Sequence, residues 1–495
     1  LNFPLRLPSA AGRALGLPHF ATKRLKKITA RTKQTERHVL ARKRFRFGFL
    51  IGAGTDGRLW GGGWAGRPVF GGRGSIERPG VRPARPASYN KEKPREMQAN
   101  QPSVRPTRVI AGLAFAAAAL TAHAADWIVS ANDGKYQRVE GRDTYLAAPP
   151  SDTLTLLDAA TFPPKVALQV DVENGIQGPP QAVAVTPDAS VALVAAPTRY
   201  DQAAKRLVFD TFLQVVDLKA APPAVTRIDL AAHPQGIAID RSGRLALVTD
   251  VDGGVSVLRI DGTEGGTRVT LDGSLKIGKK RLGGVSFTHD GRHALVALRD
   301  EQGVAVLNVD GGKVTDSGTR LSSGVAPYTI DVSSDNRWAV VSNVGLAGLP
   351  GYAGKLAGDA DTVALIDVSR EPFRTVQYLS VPSLPEGVAI SPDGKWIAVQ
   401  TMDGSNLTTD NAGRRARGKV LLFAIRDGQA VKAGEAPGGE AAQGIVFTAD
   451  SRHVIVQFNV ERQLALYAVD GGRLRDTGKR IALTGGPSSL RSTPR

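Results

Sequence analysis

The chain contains no cysteine, and that one absence removes disulfides, thiolate metal sites and cysteine nucleophiles together. Aromatic residues make up only 6% of it, and there are two methionines and seven histidines. Three of those histidines, His19, His38 and His123, precede residue 125. No G-x-S-x-G elbow and no H-E-x-x-H pair occurs, so the commonest serine-hydrolase and zinc-protease signatures are missing. The apolar stretch 109–120 is too short to span a bilayer comfortably, so no membrane span is expected.

Acidic residues are scarce only at the front. Residues 1–96 hold 22 of the 64 Lys and Arg but 5 of the 46 Asp and Glu. Residues 97–124 add Arg105 and Arg108 and no acid. The remaining body is therefore close to neutral, although the whole chain carries +18. A neutral body has no field to hold a polyanion, and nucleic acid is not an expected partner. The front segment is rich in Arg, Gly and Pro without a sustained period, so no packed core is expected there. The string Ala30-Arg31-Thr32-Lys33-Gln34-Thr35 matches the start of a histone tail, stops matching at Glu36, and reads as coincidence.

Met97 opens a secretory-signal pattern: a basic start at Arg105 and Arg108, the apolar run 109–120, and Ala122-His123-Ala124 as a cleavage site. The expected division is 1–96 as disordered upstream translation, 97–124 as signal peptide, 125–485 as the folded domain and 486–495 as a tail. Cleavage after Ala124 would send the domain to the periplasm or outside.

What is present in abundance is a repeat. DWIVSANDG from Asp126, QAVAVTPDA from Gln181, QGIAIDRSG from Gln235 and GGVSFTHDG from Gly283 share one pattern. YTIDVSSDN from Tyr328, EGVAISPDG from Glu386 and QGIVFTADS from Gln443 continue it. The first positions lie 45–58 residues apart. A second strand signal follows each turn, as in RLALVTD from Arg244 and KWIAVQT from Lys395. A third follows, as in DTLTLLD from Asp152 and DTVALID from Asp361, and a more polar fourth suits an outer edge. Four antiparallel strands repeated seven times predict an all-β, seven-bladed β-propeller. A small residue after most first positions, such as Gly236, Gly284 and Gly444, suits an inner strand crowded at the axis.

The phrases QAVAVTPD, EGVAISPDGKWIAVQ and DTVALIDV resemble the YVTN-type repeats of bacterial propellers, the lactonase-like or YncE-like group. The resemblance covers roughly residues 126–485. It implies the propeller fold, and it admits sugar lactonases, muconate-cyclising enzymes, platform subunits and binding proteins alike.

The first positions and the second-to-third-strand loops should share one face. That places Asp126, Gln181, Gln235, Gly283, Tyr328, Glu386 and Gln443 on a ring. Two readings follow: amides that hold adjacent blades together, or a polar funnel that grips a ligand. Long loops at 197–210, 344–359 and 402–418 would overhang it. Candidate ligand-binding residues are Gln181, Gln235, Tyr328, Glu386, Gln443, Asn343, Arg199 and Arg299. Glu386, Asp250 and Asp126 are the carboxylates available for catalysis. His233 is the one histidine near the ring. Asp300 and Glu461 fall at the ends of second strands on the same face. No metal ligand set is expected, although Asp403, Asn406, Asp410 and Asn411 could offer oxygens to a divalent cation. The expected function is binding of a small polar ligand, a glycan or a protein partner by a monomer. The alternatives are a lactone hydrolase or isomerase, and a platform subunit of a quinoprotein dehydrogenase-like complex.

Overall fold

A computed structural model describes residues 126–263, 266–349 and 360–495. The upstream segment, the signal pattern and part of the 344–359 loop lie outside the described residues.

Seven four-stranded antiparallel sheets form the blades. The second blade, for example, runs Val183–Val185, Val191–Val194, Phe212–Asp217 and Ala224–Asp229 from axis to rim. Burial falls along that order: the first two strands are wholly buried, whereas the rim strand is exposed at five of six positions. Polar fourth strands are thus tolerated because they meet water on their outer side.

The core lies between blades. Leu193, Leu213, Ile237, Val248 and Leu258 pack blade 2 on blade 3. Phe447, Val456 and Tyr467 pack blade 7 against its neighbour. Each fully buried aliphatic side chain contributes about 1.5–3 kcal/mol.

The inner turns explain the Asp-centred motif. Ser391 donates its hydroxyl to Asp393 and accepts the Trp396 N–H at 2.9 Å. Thr288 with Asp290, Ser333 with Asp335 and Thr448 with Asp450 repeat the device. The small second positions are close approaches. A Cβ on Gly444 would lie 2.7 Å from both Leu490 and Gln457.

Blade 1 corrects the sequence reading. Trp127–Asp133 is its second strand, and the inner strand is Gly486–Ser492, paired Ile128↔Ser492 through Asp133↔Gly486. The segment 486–495, expected as a tail, therefore closes the ring. Leu490 is 1% exposed within it. With only three strands of blade 1 contiguous in sequence, the motif at Asp126 marks a different strand from the other six.

Candidate functional site on the funnel face

The first positions of blades 2 to 7 do lie at one end of their inner strands. Loops between second and third strands rise around them. Blade 1 supplies the hairpin Tyr136–Val139 and Arg142–Tyr145, blade 2 the hairpin Thr198–Asp201 and Arg206–Phe209. Blade 5 adds a short 3-10 turn, Leu346–Gly348, and blade 6 the 402–418 loop.

One charged cluster stands out over blades 3 to 6. Glu386 begins the entry to blade 6 and is partly buried. Burial pushes its carboxyl up to about 7, against the opposing pull of Arg299 and Arg281. Tyr328 is 8% exposed, with the Arg299 guanidinium 4.7 Å above its ring. Burial first, then Glu386, push its phenol up to about 12, so it stays protonated.

The guanidiniums are held from behind. Arg299 donates from Nη1 to Asp300 at 2.8 Å and from Nη2 to the Gly348 carbonyl at 2.6 Å. Its Nε is buried and has no protein partner. Arg281 Nε lies 3.6 Å from the other oxygen of Asp300. Burial and then Arg299 pull the Arg281 pKa down. His233 is buried, with Nδ1 2.7 Å from the Asp210 carbonyl, so that nitrogen carries the proton. Burial and Arg281 lower its pKa, and it is neutral at pH 7 with Nε2 as an acceptor. Phe209, more than half exposed, meets the His233 ring edge-on at 5.1 Å.

Chemically, this is a carboxyl poised near neutrality beside two fixed guanidiniums and a protonated phenol, with a neutral imidazole on the far side of Arg281. Such a set binds an anionic or oxygen-rich group and can move one proton.

Other expected residues fall elsewhere. Gln181 turns inward across the central channel to the Ile330 backbone. Gln235 bonds the Pro234 carbonyl at 3.3 Å and Gln443 the Ala441 carbonyl at 3.5 Å, both within their own segments. None of the three binds the adjacent blade's backbone through its side chain, as the ring-closing reading proposed. Asn343 bonds Thr362 and is 1% exposed, a between-strand role. Asp250 accepts the Asp252 and Gly254 N–H groups and closes a turn. Asp126 lies at the opposite face, accepting from Ala449 N–H and Arg495. Arg199 pairs with Asp210 and lines a separate groove of about 570 Å³ between blades 1 and 2. Glu461 accepts the Glu440 N–H.

Three of the four side chains of the 402–418 loop that could offer oxygens are engaged separately. Asp403 faces Arg415, Asp410 faces Arg142, the Asn411 side chain accepts the Gly413 N–H, and the Asn406 backbone carbonyl accepts from Arg138. Among the described residues no three His, Asp or Glu side chains gather as metal ligands would.

Residues missed from sequence include Arg281, which sits in an irregular connection, and the 136–145 hairpin. Tyr145 of that hairpin stacks on Tyr200 at 4.1 Å, and the Glu140 carbonyl of its turn accepts the Thr409 N–H at 3.4 Å. Loops of blades 1, 2 and 6 are thereby joined on one side of the funnel.

No protein-family model matches the chain, and no curated protein matches its sequence. Solved structures do. A candidate 6-phosphogluconolactonase from Bacteroides uniformis aligns with a TM-score of 0.53 at 14% identity, over 75% of this chain and 100% of that one. A second candidate 6-phosphogluconolactonase, from Bacteroides fragilis, aligns with a TM-score of 0.53 at 14% identity, over 75% and 99%. The chain shares the propeller fold of these two structures. A protein of unknown function from Desulfotomaculum acetoxidans has the same shape, with a TM-score of 0.52 at 13% identity over 74% and 99%. The propeller is thus a shared scaffold, and its chemistry has to be argued from side chains. No helix among the described residues is long and apolar enough to cross a membrane.

Proposed function

We propose that the funnel binds an anionic, hydroxyl-bearing small molecule and hydrolyses a lactone in it. The observation that carries this reading is the Glu386 carboxyl, raised to about 7 beside Arg281, Arg299 and Tyr328. Two structural neighbours described as candidate 6-phosphogluconolactonases point the same way.

In this reading Glu386 takes a proton from water as its oxygen bonds to the lactone carbonyl carbon. The carbonyl electrons move to oxygen, and the negative charge falls near Arg299. Collapse breaks the ring C–O bond, and the departing oxygen takes the proton back from Glu386. The products are a carboxylic acid and an alcohol in one molecule. General base catalysis of this kind contributes about 10²–10⁴-fold. Fixed charge at the developing oxyanion adds about 10²–10³-fold. Arg281 then serves the anionic substituent of the substrate.

The test is hydrolysis of aldonic-acid lactones, with and without a phosphate, by the full chain. Turnover lost in Glu386→Gln, with the fold intact, supports the reading. Ligand-induced thermal stabilisation without turnover would leave a binding protein instead. The segment 97–124 further supports export, and a secreted form beginning at Ala125 is the expected product on N-terminal sequencing.

A further inference from the structure

Gln181 stands at the funnel end of blade 2 and is 5% exposed, yet its side chain serves another blade. Nε2 donates to the Ile330 carbonyl at 2.8 Å, and Oε1 accepts the Ile330 N–H at 3.1 Å. Blade 5, which carries Ile330, stands across the ring from blade 2. An inner strand has no further strand on its axial side, so its N–H and C=O groups there need another partner. The Gln181 amide satisfies both groups of Ile330 as a strand one residue long would. The crossing depends on Gly284, because a Cβ there would overlap Gln181 Oε1.

Different environments lie on the two sides of this amide. Toward the turn face runs a cavity of about 120 Å³, lined by Asp331, Arg491 and Arg241 among others. Asp331 and Arg491 face each other there at 3.9 Å, polar enough to hold water. Toward the funnel lie Tyr328, two residues before Ile330, and Glu386. Thr329 joins them: its hydroxyl donates to the Glu386 carbonyl at 3.0 Å and contacts Ser342 at 2.7 Å.

We propose that Gln181 is a positioning residue for the Glu386 site, pinning the Tyr328 strand across the ring and closing the central channel against the funnel. This rests on Glu386 being the working group of the funnel. The charged and titratable groups facing Glu386 are Arg281, Arg299 and Tyr328, with Asp300 behind the guanidiniums. None of them is altered by replacing Gln181. What changes is the freedom of the strand and the access of channel water, and a better hydrated carboxyl titrates lower.

The test uses the full chain and Gln181→Ala. The pH dependence of the melting difference between Glu386 and Glu386→Gln, measured with and without Gln181, reports the Glu386 midpoint without any substrate. The expected result is a fall of about one pH unit or more from near 7. Where a lactone is turned over, the acid limb of the rate profile moves by the same amount, and kcat falls with KM little changed. A lower melting temperature with the midpoint still near 7 overturns the proposal and leaves Gln181 a plain structural residue. Should Gln181→Ala fail to fold, Gly284→Ala keeps Gln181 but displaces its amide, and carries the same two outcomes. Absence of turnover in the parent protein defeats the lactonase reading alone, because the titration arm needs no substrate.

Discussion

Glu386 carries opposite demands at the scale of a single residue. Its folded midpoint near 7 lies above the ordinary value of 4.5, so the folded protein holds that proton more tightly than the unfolded chain. The stability it contributes is fully present below about 4.5 and is lost as pH rises through about 7. Glu386→Gln, which mimics the protonated form, is expected to melt higher than the parent at pH 8 and alike at pH 4. In a lactone assay kcat/KM should rise with pH to a plateau above about 7, with Glu386→Gln lower by roughly 10²–10⁴-fold. A flat profile between pH 5 and 8 would remove Glu386 as the base. Tyr328 and Glu386 were legible in the sequence because each opens a repeat. Arg281 was not, since nothing periodic marks an irregular connection. Asp250 shows the converse: a carboxylate at a suggestive strand end that is consumed by two N–H groups of its own turn.

Elements place these residues, and the inner turns are the most regular of them. Asp290, Asp393 and Asp450 all have lowered pKa values: burial would raise them, but hydroxyl and N–H donors outweigh it. Their contribution is present above the ordinary carboxylate range and is lost as pH falls below it. Replacing Ser391 by Ala removes a donor to Asp393 and an acceptor for Trp396, and should cost about 1–2 kcal/mol in urea unfolding. The strand Gly486–Ser492 is the element the sequence concealed. GPSSLRS has no alternating Val or Ile and no Asp turn, so its strand character comes from the one edge it fills, that of Trp127–Asp133. Deleting residues 486–495 would expose the inner edge of Trp127–Asp133 and leave Ile128 and Leu157 without Leu490. The expected outcome is loss of the cooperative melting transition and aggregation, seen by scanning calorimetry and gel filtration.

For the whole molecule, the two kinds of carboxyl combine. Asp133, pushed up to about 7 chiefly by burial, joins Glu386 in favouring the acid side, while the turn aspartates oppose strong acid. Thermal stability should therefore peak near pH 4–5 and decline toward pH 8, and a maximum above neutrality would contradict the buried-carboxyl argument. The propeller itself was legible because the same four-strand phrase recurs and local preference agrees with global architecture. How the ring closes was not, because closure joins two segments that share no phrase.

That closure has a kinetic side. Ile128 pairs with Ser492 and Asp133 with Gly486, contacts separated by more than 350 residues. Contacts so distant in sequence form slowly, since the entropy of bringing the ends together comes before their reward. Blades 2 to 7 are each made of contiguous chain and can assemble as they emerge. Blade 1 cannot, and waits as a three-stranded sheet with an open edge until residues 486–492 have been made. Ring closure therefore follows synthesis of residues 486–492, and refolding should show a slow final phase in which the backbone amides of Trp127–Asp133 and Gly486–Ser492 gain protection from hydrogen exchange.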